Sequence, residues 1–185
     1  APLLVTYHPV TLKEGGGIES LRELLTALDE QVARRKIVIT FPNADTHGRD
    51  LIPLLQAFAD KHPGRVMLAQ SLGQVRYLSL LKLAGAVVGN SSSGLLEAPA
   101  LRVPTVDIGI RQQGRLKPKT VVSSDDDLVS IRRALEHALS EEHRRICETV
   151  GNPYGDGYVT EKILPVLKGC EKEGLLFKSF YNVEF

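Results

Sequence analysis

The stretch "VVGNSSSGLLEAP", residues 87–99, joins an apolar β-branched run to a glycine, an asparagine, three serines and a second glycine. A helical-looking segment with a single carboxylate, Glu97, follows. An apolar run that ends in small polar residues and resumes as a helix reads as a buried strand turning into a helix. The same alternation recurs on both sides of it. "LLVTYH" (residues 3–8), "KIVITF" (36–41), "RVMLAQ" (65–70), "AVVGN" (86–90) and "PTVDIG" (104–109) are strand-like. Continuous apolar runs suit strands covered on both faces, as in a parallel sheet. Between them, "IESLRELLTALDEQVA" sets Ile18, Leu21, Leu25 and Leu28 on one helical stripe, and "RDLIPLLQAFADKH" does so with Leu51, Leu54, Leu55 and Phe58. "QVRYLSLLKLA" and "SGLLEAPALR" supply two more connectors. Strand and helix in repeated alternation predict right-handed crossovers and a doubly wound, Rossmann-like α/β fold.

The last third reads as helical. "SSDDDLVSIRRALEHALSEEHRRI" places Ser124 and Asp127 at N-cap and N3 spacing, with Leu128, Ile131, Leu135 and Leu139 as the buried stripe. "GNPYGDG" breaks this helix, and "YVTEKILPVLKGCEKEG" predicts a final helix bent or restarted at Pro165. Phe177, Phe180, Tyr181 and Phe185 crowd the tail of a chain that is only 5% aromatic, so they are expected to pack on something.

Composition narrows the function. With 185 residues, one domain with a sizeable core is expected. A net charge of +1 offers no basic field, so neither nucleic acid nor a membrane surface is an expected partner. Cys147 and Cys170 lack metal-ligand spacing and read as reduced thiols of a cytosolic protein. His137 and His143, six apart, read as surface residues, and no cluster calls for a metal or other cofactor. The chain opens on "APLLVTYHP" without methionine, and a piece of something longer is expected.

In open α/β sheets, ligands bind beyond the carboxyl ends of the strands. Here those ends carry "YHP", "FPNAD", "QSLG", "GNSSSG" and "GIRQQGR". In "GNSSSG", free backbone N–H groups, serine hydroxyls and two glycines allowing close approach suit a phosphate or diphosphate. The structural alternative is that Ser91 or Ser92 is a plain N-cap, worth about 1 kcal/mol. Glu97 is able to accept hydrogen bonds from two vicinal hydroxyls of a ribose. Arg111, Arg115 and Lys117 follow the next strand and fit anion binding, as arginine is a fork of fixed donors. His8 is either structural or a partner of the phosphate, as hydrogen-bond donor or proton carrier. Asn43, Asp45 and His47 are able to read sugar hydroxyls or cap a helix. The backbone of "YGDG", which includes Gly155 and Asp156, is a further candidate for the same cleft.

Taken together, "YHPVT", "FPNAD", "VVGNSSSGLLEAP", "PTVDIGIRQQGR" and "NPYGDG" resemble the hydrolysing UDP-N-acetylglucosamine 2-epimerases of sialic-acid and related nonulosonate biosynthesis. The resemblance runs from about residue 5 to residue 167 and implies a glycosyltransferase-B architecture, two Rossmann-like domains with the active site between them. It implies that this chain is the carboxy-terminal, UDP-binding half and lacks the amino-terminal domain that holds the acid/base carboxylates. Carried over by residue, His8 meets the diphosphate region as the catalytic candidate, and Ser91 and Ser92, with Asn90 beside them, meet the phosphates. Glu97 takes the ribose, Arg111 a phosphate, and the backbone near Leu72 the uracil edge. Asn43, Asp45, Gly155 and Asp156 complete the substrate-binding set. The implied reaction turns UDP-GlcNAc into N-acetylmannosamine and UDP through a glycal, with no cofactor, in the cytoplasm, in a protein able to form homo-oligomers. A fragment alone is expected to bind UDP weakly and not turn over. The donor domain of a UDP-sugar glycosyltransferase and a stand-alone nucleotide-binding module are the competing readings.

Overall fold

Six four-residue strands form one parallel sheet: β1 (Leu3–Thr6), β2 (Ile37–Thr40), β3 (Val66–Ala69), β4 (Ala86–Gly89), β5 (Thr105–Ile108) and β6 (Val121–Ser124). Their order is β3-β2-β1-β4-β5-β6, so the chain starts in the middle, winds outward one way, then returns and winds the other. This computed structural model describes residues 1–170 and divides into two units, Ala1–Pro153 and Tyr154–Phe185.

The first unit has a core on each face of the sheet. Leu3, Val5, Ile37, Ile39, Val88, Val106 and Ile108 point to one side, onto helices α1 (Ile18–Val32), α2 (Gly48–Lys61) and α5 (Leu128–Ala138). Leu4 and Val87 point to the other, onto Leu81 of α3 (Gly73–Leu83) and onto Ala98 and Val103. Strands buried on both faces explain the unbroken apolar runs of the sequence. The buried line of α1 is Leu21, Leu24 and Leu28, a slight rotation of the expected stripe that leaves Ile18 and Leu25 at its margin.

Four expectations are corrected. "SGLLEAPALR" is not one helix but α4 (Ser93–Leu96), a single turn, followed by a 3-10 turn at Pro99–Leu101. Proline at 99 lacks the amide hydrogen that helix continuation needs. "VVSS" forms the edge strand β6, and the N-cap of α5 is Asp127, whose carboxylate accepts the Ser130 N–H at 3.0 Å, rather than Ser124. The long helix beyond it is split, because Ser140 caps a separate α6 (Glu141–Thr149) by accepting the His143 N–H at 3.1 Å. His143 itself is buried, not a surface residue: its Nε2 lies 3.2 Å from the Thr120 carbonyl.

In the second unit, Pro165 lies inside α7 (Val159–Gly169) without restarting it. Phe177, Phe180, Tyr181 and Phe185 fall outside the described residues. No described helix is long and apolar enough to cross a membrane.

Candidate functional site

β1 and β4 are neighbours, yet β1 leads on to β2 at one side and β4 to β5 at the other. At such a switch point the two following loops diverge and leave a crevice beyond the strand ends. The residues placed there are His8 after β1 and the serine turn after β4.

Asn90 ties the two loops together. Its Oδ1 accepts the His8 N–H at 2.7 Å, and its Nδ2 donates to the His8 carbonyl at 2.9 Å. Its own carbonyl accepts hydrogen bonds from Gln112 Nε2 at 2.8 Å and Arg111 Nη1 at 3.1 Å. Asn90, expected among the substrate-binding residues, has its side chain fully buried and its amide committed to the backbone across the switch point. A second close contact lies beneath it. Gly89 has φ +136°, and a Cβ there would come 2.0 Å from the Thr6 carbonyl oxygen. A Cβ on Gly94 would meet Thr105 Cγ2 at 2.5 Å. Both glycines therefore serve the approach of the protein to itself, rather than the approach of a ligand.

Once Asn90 is anchored, the next residues are free to face outward. Ser92 occupies the N-cap position of α4, but its backbone is already helical and its side chain caps nothing. Among the described residues, the Ser91 and Ser92 N–H groups donate to no acceptor. The turn thus presents the free Ser91 and Ser92 amides, while Ser91 Oγ accepts the Ser93 N–H at 3.4 Å and keeps its own proton to donate; α4 is too short to add a helix dipole of consequence.

His8 is held by the next loop. The Asn43 N–H donates to His8 Nδ1 at 3.0 Å, which leaves the neutral ring its proton on Nε2. Burial, aided by the Arg111 charge and opposed by Asp45, lowers the His8 pKa to about 4. His8 is therefore neutral at pH 7, an N–H donor rather than a cation. Arg111 is half-buried, and its Nη2 lies 3.9 Å from Asp45 Oδ2. Desolvation lowers the pKa of its guanidinium, yet arginine keeps its charge at neutral pH.

The serine turn separates two hollows. One, of about 370 Å³, is lined by Thr6, His8, Phe41, Leu72, Tyr77 and Ser91 among others. Glu97 is exposed beside it, close enough for its charge to help raise the Tyr77 pKa, which burial raises first. Its carboxylate has no hydrogen bond or ion pair among the described residues. The other hollow, of about 600 Å³, is lined by Val10, Leu12, Asp45, Ser92, Ile110 and Arg111 among others. His8, Leu72, Ser91, Ser92, Asp45 and Arg111 thus line one hollow or the other, and Asn43 lies behind His8. Gly155 and Asp156 belong to the second unit, where Asp156 Oδ1 accepts the Tyr158 N–H at 3.2 Å.

Sequence reasoning missed several residues. Asp107 of β5 is 1% exposed and meets the Lys117 ammonium at 2.7 Å, a charge contact that closes the base of the arginine loop. Lys13, Ser20 and Asp126 form a second cluster, linking the loop after β1 to the loop after β6. A carboxylate inside an otherwise apolar strand, Asp107 in "TVDI", was the available signal. Among the described residues, no three His, Cys, Asp or Glu side chains are grouped to hold a metal ion.

Comparisons with known proteins agree with this geometry. The family model for UDP-N-acetylglucosamine 2-epimerase matches residues 2–168. A GDP/UDP-N,N'-diacetylbacillosamine 2-epimerase (hydrolyzing) of Campylobacter jejuni is 34% identical over 181 residues, covering 97% of this chain and 46% of that protein. The polysialic acid biosynthesis protein P7 of Escherichia coli is 29% identical over 182 residues, with the same coverage. The chain therefore spans about half the length of these relatives. In structure, it matches a UDP-GlcNAc 2-epimerase from Neisseria meningitidis bound to UDP-GlcNAc with a TM-score of 0.71 at 17% identity, over 90% of this chain and 44% of the other. The fold is that of a Rossmann-like half of the glycosyltransferase-B architecture. The six-stranded switch-point sheet, the serine turn and the family match over nearly all of the first unit lead to one conclusion: this chain belongs to the UDP-N-acetylglucosamine 2-epimerase family.

Proposed function

We propose that this chain is the UDP-binding, carboxy-terminal half of a hydrolysing UDP-N-acetylglucosamine 2-epimerase. The observation that carries the reading is the convergence of the His8 Nε2–H, the unspent Ser91 and Ser92 donors and Arg111 at the β1/β4 switch point, between two hollows. The diphosphate lies across these donors. The nucleoside fills the smaller hollow, with the Leu72 backbone at the uracil edge and Glu97 at the ribose diol. The sugar extends into the larger hollow, beside Val10, Leu12 and Ile110.

In the proposed reaction a base removes the proton at C2, the C1–O bond breaks, and UDP departs with the electron pair of that bond. Water then adds at C1 and a proton returns to C2 from the other face, giving N-acetylmannosamine. This half of the site acts on the leaving group. Charge builds on the β-phosphate oxygen as the bond breaks, and donors fixed in advance stabilise it without reorganising. The base acting at C2 is assigned to a second domain. The chain by itself is therefore expected to bind UDP weakly and not turn over.

The test is to incubate the full-length protein with UDP-GlcNAc alone. Release of N-acetylmannosamine and UDP supports the reading, and an intact donor overturns it in favour of a glycosyltransferase awaiting an acceptor. The 34% identity to the Campylobacter jejuni protein favours a second substrate, UDP-N,N'-diacetylbacillosamine, which belongs in a parallel incubation.

A further inference from the structure

Two hydrogen-bonded pairs of hydroxyls that line the smaller hollow have no role in the scheme above. Thr6 and Thr40, the last residues of β1 and β2, are buried, and their Oγ1 atoms are 2.6 Å apart. Tyr77, in the second turn of α3, donates its phenol proton to Ser93 Oγ at 2.7 Å. Ser93 immediately follows the Ser91 and Ser92 donors and opens α4.

One helical turn does not hold itself in place, since nucleation costs more than its few hydrogen bonds return. The serine turn must be fixed from outside. Asn90 anchors one end to His8, and Thr105 Oγ1 donates to the Gly94 carbonyl at 2.8 Å beyond the other end. Between them, Tyr77 supplies the side-chain anchor to Ser93, and it reaches across from the helix that walls the nucleoside hollow.

We propose that Tyr77 is a positioning residue, whose hydroxyl holds Ser93 and so sets the Ser91 and Ser92 donors at the spacing a diphosphate requires. The inference rests on the UDP reading and adds a division of labour within one side chain: the ring walls the nucleoside, while the oxygen serves the phosphates. A Phe substitution separates the two, because it keeps the ring and removes only the oxygen.

The experiment measures UDP and uridine affinity by NMR titration for the wild type, Tyr77→Phe, Ser93→Ala and the double variant. Tyr77→Phe is expected to weaken UDP about three- to tenfold, the scale of one hydrogen bond, and to leave uridine within about twofold. Ser93→Ala is expected to do the same, and the double variant to be no worse than either single one. Equal loss of both ligands makes Tyr77 a wall only and overturns the proposal, as does unchanged UDP affinity in both single variants. A wild-type protein that binds UDP no better than uridine removes the UDP reading itself, a result distinct from either of these. Ser93→Ala lies outside α3, so it keeps the test open should Tyr77→Phe unfold.

Discussion

On the β2–β3 side of the serine turn, the floor is made of side chains tied in pairs: Thr40 to Thr6, and Tyr77 to Ser93. On the β5 side, Leu12 stands 90% exposed at the hollow's edge, and the buried Gln112 Oε1 has no hydrogen-bond partner among the described residues. The first hollow is built from strand ends and a helix, the second from loops held at their roots. Affinity for a nucleotide needs the preorganisation of the first. Under the proposed function, a sugar that changes shape during elimination would sit against the second.

The largest effect is expected where the two hollows meet. Gly89→Ala would drive a methyl group into the Thr6 carbonyl at a positive φ, pushing β1 and β4 apart. Overpacking and backbone strain together are expected to cost about 3–5 kcal/mol in urea unfolding. A loss below about 1 kcal/mol would show that the switch point is not the rigid joint between the hollows.

Next comes the root of the arginine loop. Lys117→Met leaves the Asp107 carboxylate buried without its countercharge, a loss of about 2–4 kcal/mol at pH 7. Burial already raises the Asp107 pKa against the opposing effect of Lys117. A carboxyl group with a raised native pKa holds its proton longer when folded. Its stabilising effect is therefore complete at acid pH and is lost as pH rises from the ordinary Asp value through the raised one. Removing Lys117 raises the native value further, so the deficit of the variant relative to wild type should shrink as pH falls from 7 toward 5. Unfolding curves at both pH values check this, and a deficit independent of pH rejects it.

How much of this contrast was legible in the sequence follows from the range of the interactions. Five strands, and the gathering of small and polar residues at their carboxyl ends, could be read, because burial on both faces and strand-to-helix turns leave local signatures. β6 escaped because its four residues run straight into the polar turn that caps α5. The purpose of Asn90 escaped for a different reason: its partner, His8, is 82 residues away, and a small polar residue in a turn looks the same whether it meets substrate or backbone. Tyr77 had the spacing of an ordinary helix residue, and only the packing of α3 on α4 gives its hydroxyl a destination.

Arg111→Ala tests the junction from the ligand's side. Its loss is expected to cost about 1–3 kcal/mol of UDP affinity, the range for a hydrogen bond to a charged group, and nothing for uridine. That is more than Tyr77→Phe should cost, because Arg111 would meet the phosphate directly. Equal loss for both ligands would place the guanidinium with the nucleoside instead.

The smallest effect is a titration. In the free protein His8 is held neutral, with a pKa of about 4, by burial and by the Arg111 charge. Its native pKa lies below the unfolded value, so the native ring releases its proton first as pH rises, and the contribution of His8 to stability falls as pH drops from about 6.5 toward 4. A diphosphate beside Nε2 supplies negative charge where the ring must accept positive charge, and it also offsets the Arg111 field. Binding UDP should therefore move the His8 pKa upward and draw in a fraction of a proton near pH 5–6, with UDP affinity rising as pH falls through that window. Imidazole NMR shifts with and without UDP measure it. A pKa that stays put on saturation would place the phosphates away from His8, and would leave them to the serine turn and Arg111 alone.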